Sequence, residues 1–198
     1  MRMDDGDESR ELSKDHRLHQ LYLAIVSRYK EHIEEHESLS IAELPSLVTV
    51  KNEKVIAKAQ EIINGFGTYD YNSDFYNASM RAFEFVKDSI DEVVLPVQFW
   101  LLPEETLSFM MGDLLDRNIL LCALLVRLGN PSAKVFVKIK GSARDSFVYC
   151  EFNNKVYIMD ISSGIREFDS KKAMLDSLGI DDETTAYEFN NQSYADVA

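Results

Sequence analysis

From Ile119 to Val126 every residue is apolar, with Asn118 before the run and Arg127 after it. A helix with no polar face is buried on all sides. Asp113 is placed to cap its start. Its carboxylate can accept from the free N–H groups of the first turn, and Asp116 adds negative charge at the same, positive end of the helix dipole. Gly129 suits the left-handed residue that follows a helix, and Pro131 prevents continuation. The pattern predicts a central core helix over 114–128.

Beyond it the period changes to two. Val135, Val137 and Ile139 alternate with Phe136 and Lys138. Phe147–Phe152 and Val156–Ile161 flank Asn153-Asn154-Lys155, a polar turn of the kind that joins antiparallel strands. Upstream, the spacing predicts three helices. One long amphipathic helix spans 14–38, with a seam of Leu18, Tyr22, Ile25, Tyr29, His32 and His36 able to pack on the core or on another chain. The second, about 53–64, turns Val55, Ile56, Ala59, Ile62 and Ile63 to one face and closes at Asn64-Gly65. The third, about 74–90, turns Tyr76, Met80, Phe83, Val86 and Ile90 inward. Phe99 and Trp100 read as apolar anchors against the central helix. After Asp160, Lys171–Leu178 reads as a short helix and Thr185–Phe189 as a strand. The fold class expected is α+β: N-terminal helices, then a buried helix packed on a twisted antiparallel sheet. Residues 1–13 form a charged tail too poor in apolar residues to fold, 14–45 the long helix and its linker, and 46–198 the domain.

The segments Pro103-Glu104-Glu105-Thr106-Leu107, Gly112-Asp113-Leu114-Leu115-Asp116, Leu128-Gly129, Phe147-Val148-Tyr149-Cys150-Glu151-Phe152 and Asp160 follow one another in order and spacing. In this the chain resembles the transglutaminase-like superfamily of papain-like thiol enzymes. The likeness covers about 60 residues clearly, and the helices from about Val55 to Ile90 more loosely. It implies a cysteine at the first helical residue, a histidine on the facing strand and an acid on the next. Such chemistry needs a thiolate, a proton acceptor and a group that orients it. The helix N-terminus would lower the thiol pKa. The corresponding positions here are Leu114, Phe147 and Asp160. Two of the three have neither a lone pair nor a proton to give. The resemblance therefore implies the fold, while the residues argue against the activity. The expectation is a pseudoenzyme that binds a peptide, a protein or a small ligand at Leu114, Phe147, Tyr149, Glu151 and Asp160.

The alternative is a thiol hydrolase or acyltransferase using a displaced cysteine, Cys150 before Cys122. Cys122 lies two turns into the buried helix. Cys150 has opposite parity to Phe147 and so points away from the expected site. Asp160, ahead of Ser162-Ser163-Gly164, also reads as a turn cap.

Composition narrows the rest. The 198 residues carry a formal net charge of −13, which excludes the positive surface that nucleic acid or an anionic membrane requires. Lys134, Lys138 and Lys140 read as a solvated strand edge. No run approaches the ~20 apolar residues of a membrane helix, and the acidic start lacks an apolar signal core. Two cysteines give no disulfide framework, so a cytoplasmic protein is expected. No cofactor is called for. His32-Ile33-Glu34-Glu35-His36 matches the inverted zinc-protease pattern H-x-x-E-H, but no third ligand accompanies His32 and His36. The histidines read instead as part of the helical seam, a surface suited to self-association.

Overall fold

The computed structural model of the chain describes residues 14–28, 41–94 and 100–197. The acidic tail, His32, His36 and Phe99 lie outside the described residues.

Helix α1 covers 14–28. A 3-10 turn at Ile41–Leu47 leads to α2 (Glu53–Ile63) and α3 (Tyr71–Ser89). β1 (Asp91–Glu92), α4 (Pro103–Phe109) and β2 (Met111–Gly112) precede the central helix α5 (Leu114–Arg127). Strands β3 (Lys134–Lys140), β4 (Ala143–Phe152), β5 (Lys155–Asp160) and β6 (Gly164–Phe168) follow. Helix α6 (Lys171–Ser177) and strands β7 (Thr184–Phe189) and β8 (Tyr194–Asp196) complete the order. Strands β3 to β8 form one antiparallel sheet in the order β6-β5-β4-β3-β7-β8. The class is α+β.

The caps explain the boundaries. Asp113 accepts from Asp116 N at 2.8 Å, and Asp116 Oδ2 accepts from Asp113 N at 3.0 Å, a reciprocal box at the start of α5. Asp70 Oδ1 accepts from Asn72 N and Ser73 N, so α3 starts three residues before the apolar spacing suggests. The turn from β4 to β5 holds Asn153 and Asn154 at φ 50° and 59°, the left-handed pair that a two-residue hairpin needs and that Asn tolerates.

The sheet buries both of its faces. The α5 side receives Val135, Val137, Val148, Cys150, Met159 and Phe189, continuous with the helices. The opposite side holds Phe136, Phe147, Tyr149, Val156, Ile158 and Ala186 beneath Met174 of α6. Parity along each strand sorts the residues between two apolar environments.

Three expectations are corrected. β3 is an interior strand paired with β4 and β7. Its lysines are no protective edge: Lys134 and Lys140 pair with Glu188 and Asp181, and Lys138 Nζ donates to the Leu178 carbonyl. In α3 the buried face is Phe75, Ala78, Ser79, Ala82, Phe83 and Val86, with Tyr76 exposed and resting on Tyr157. The seam of α1 runs through Leu18, Leu21 and Ile25, packed on Leu101 and Met111, while Tyr22 faces out. Arg17 with Asp91 and Arg28 with Glu105, each at 2.7 Å, tie α1 to the body. Leucine at 21 wins the inner position because it has no hydroxyl to desolvate.

Candidate functional site

The start of α5 is built around one buried carboxyl. Asp116 is fully buried and accepts from Leu101 N at 2.8 Å as well as from Asp113 N. Gly112 allows this: a Cβ there would stand 2.9 Å from Asp116 Cβ, too close for any side chain. Burial, and then the neighbouring Asp113, hold the Asp116 carboxyl well above the usual carboxylate range. One residue on, Arg117 is buried against Glu92 at 3.0 Å and donates to the carbonyl of Lys87, so the helix start is locked to the end of α3. Burial lowers the Arg117 pKa and Glu92 opposes that change.

An open cavity of about 260 Å3 lies in front of this helix end. Asp113, Leu114 and Leu115 form its floor, and Arg144 and Ser146 of β4 form one wall. Glu92, Val93 and Val94 form the other. Ser146 is 3 % exposed. Asn118, one turn below Leu114 on the same helix face, donates from Nδ2 to the Ser146 carbonyl at 2.9 Å and to its hydroxyl at 3.0 Å. Asn118 Oδ1 is buried with no partner among the described residues.

The structure does not bring the expected site residues together. Leu114 lines the cavity. Phe147 lies on the other side of the sheet, stacked on Phe136 with ring centroids 5.0 Å apart. Tyr149 shares that side and donates to Glu188 at 2.7 Å. Asp160 accepts from Ser162 N and Ser163 N and closes a turn, as its cap reading expected. Glu151 is exposed, and its carbonyl accepts from Asn130. The residue of β4 that faces the helix start is therefore Ser146, one position before Phe147, and Cys150 shares the helix side instead of pointing away from it. A one-residue offset reverses every side chain of a strand. Here both faces are buried, so the run Phe147-Val148-Tyr149-Cys150 carries no alternation to fix the parity. Asn118 was the one available signal, a polar residue directly before the apolar run Ile119–Val126 and in register with Leu114.

Cys122 and Cys150 are fully buried. Burial pushes the Cys150 thiol up to about 12 and raises Cys122 as well. Neither is a thiolate near neutral pH. On the far side of the sheet, Glu188 is buried between Lys134 at 2.6 Å, Lys171 at 2.7 Å and the Tyr149 hydroxyl. Burial alone would raise the Glu188 carboxyl, but those three donors together hold it below its ordinary value. This network joins α6 to the sheet, and every member is satisfied.

His16 and His19 are exposed on α1. Among the described residues no group of three or more His, Cys, Asp and Glu side chains is placed to hold a metal ion. No helix among them is long and apolar enough to cross a membrane.

No protein-family model matches the chain, and no curated protein matches it. Among solved structures, the chain is similar to a “Putative Cysteine Protease from Cytophaga hutchinsonii”, at 12% identity and a TM-score of 0.45. The match covers 74% of this chain and 52% of that one, so this chain spans about half the length of the protein it matches.

Proposed function

We propose that this chain is a transglutaminase-like module that has lost thiol catalysis and binds a ligand at the start of α5. The observation that carries the reading is the pair of residues facing each other across the cavity. Leu114 occupies the first helical position, where such chemistry needs a sulfur, and Ser146 occupies the facing strand position, where it needs an imidazole. A hydrocarbon cannot attack a carbonyl. A serine hydroxyl without a base beside it is a poor nucleophile, and no histidine of the described residues lies outside α1. The near-face residues of β5, Tyr157 and Met159, offer no carboxylate to orient a base.

The cavity itself supports binding over a purely structural role. Among the described residues no apolar side chain closes it, and its wall carries an arginine and a buried hydroxyl. A pocket with apolar walls and a few convergent polar groups is the usual form of a ligand site.

Alkylation tests the non-catalytic reading. The folded protein is incubated with iodoacetamide at neutral pH and assayed on peptide, ester and glutamine acyl-transfer substrates. The expected result is no turnover, with both cysteines modified only as fast as the chain unfolds. Rapid modification of Cys150 or Cys122 with parallel loss of a measurable activity overturns the reading in favour of a displaced thiol enzyme.

A further inference from the structure

We infer that the cavity at the start of α5 binds a carboxylate carrying a short apolar group. This rests on the reading of that cavity as a binding site and names the chemistry of its ligand.

Both acidic side chains of the lining already hold a donor of the chain itself. Asp113 accepts from Asp116 N through Oδ1, and Glu92 pairs with Arg117 through Oε2. The lining also offers donors without partners among the described residues. Arg144 has no carboxylate partner among them. Ser146 accepts from Asn118, but nothing among them accepts its hydroxyl proton, although the residue is 3 % exposed and lines the cavity. The N–H groups of Leu114 and Leu115 are the first of α5, which no intrahelical carbonyl can reach. A helix start favours negative charge, and guanidinium beside it favours a flat two-oxygen acceptor. Asp116 does not line the cavity, and both of its oxygens accept from backbone N–H groups.

The other surfaces define the rest of the ligand. Val93, Val94, Leu114 and Leu115 supply apolar contact, and Val94 is 89 % exposed with no cover among the described residues. A cavity of about 260 Å3 lies below the roughly 300–1,000 Å3 of pockets that take drug-sized ligands. It suits one amino-acid-sized group. Such a group is either a free small monocarboxylic acid or the last residue of a peptide.

The test is titration of the full chain with N-acetyl-leucine, N-acetyl-leucinamide and a hexapeptide ending in leucine, read from the backbone amide shifts of Leu114, Leu115 and Ser146. The acid is expected to bind at least about tenfold more tightly than its amide, because a charge-assisted hydrogen bond is worth roughly that factor. Arg144→Gln, at an exposed position, is expected to remove the preference. A hexapeptide about tenfold tighter than the acid identifies a peptide C-terminus as the source, and equal affinity identifies a free small acid. An amide that binds as well as the acid overturns the carboxylate inference and leaves the ligand-binding reading in place. No shift with any of the three overturns both, whereas thiol-dependent turnover overturns only the non-catalytic reading.

Discussion

Asn118 holds Ser146 by two atoms at once: its Nδ2 donates to the serine carbonyl at 2.9 Å and to the serine hydroxyl at 3.0 Å. The bond joins the second turn of α5 to β4 inside the core and sets the wall of the cavity. Replacing Asn118 by Leu removes the donor and leaves the buried polar atoms of Ser146 with one partner fewer. The expected cost is about 1–3 kcal/mol. Asn118→Ala adds a cavity and is expected to cost about 2–4 kcal/mol. Urea unfolding with an unchanged m-value checks both. Wild-type stability in either variant would mean that the bond contributes nothing net.

The register of β4 is tested by rebuilding the missing pair. A thiol introduced by Leu114→Cys sits at a helix N-terminus and is expected to titrate below the ordinary value of about 8.5. Adding Ser146→His is expected to lower it further and to speed alkylation, because an imidazolium would face the sulfur across the cavity. Adding Phe147→His instead is expected to leave the thiol unchanged and to destabilise the fold, because that ring is buried on the opposite side against Phe136. The measurement is the pH dependence of the alkylation rate. A larger effect from position 147 than from 146 would contradict the strand parity described above.

Two buried carboxyls should pull the stability of the fold in opposite directions with pH. Glu188 has its pKa held below the ordinary 4.5, so its contribution is full above that value and is lost as pH falls through the folded value. Glu188→Gln leaves Lys134 and Lys171 without their buried partner. It is expected to cost about 2 kcal/mol near neutrality, a figure reduced for the partial exposure of both lysines. The gap to wild type should close in acid. Asp116 is the reverse case. Its folded pKa lies above the ordinary 3.8, so its stabilising contribution is full below that value and is lost as pH rises through the folded value. The gap between wild type and Asp116→Asn should be widest in acid and narrow upward. Denaturant midpoints of the two variants across pH 3 to 8, a range of about five units around these carboxyls, decide the matter; parallel curves for both would refute it.

What the chain determined unaided is local. The apolar run Ile119–Val126, its Asp113 cap, the Asn153-Asn154 turn and the alternations around it depend on contacts within a few residues, and α5, the β4–β5 hairpin and the α+β class could be read from them. The helix Pro103–Phe109 and the edge strands β6 and β8 could not, being short pieces stabilised by what they pack against. Tertiary structure alone decided which side of β4 faces the helix. Helix α6, arriving some twenty residues after β4 along the chain, covers the second side of the sheet and makes Phe147 as buried as Val148. Once both sides are apolar, the residues of the strand no longer record which one holds the cavity. That assignment lay with a buried amide, Asn118, and with the serine it reaches across the core.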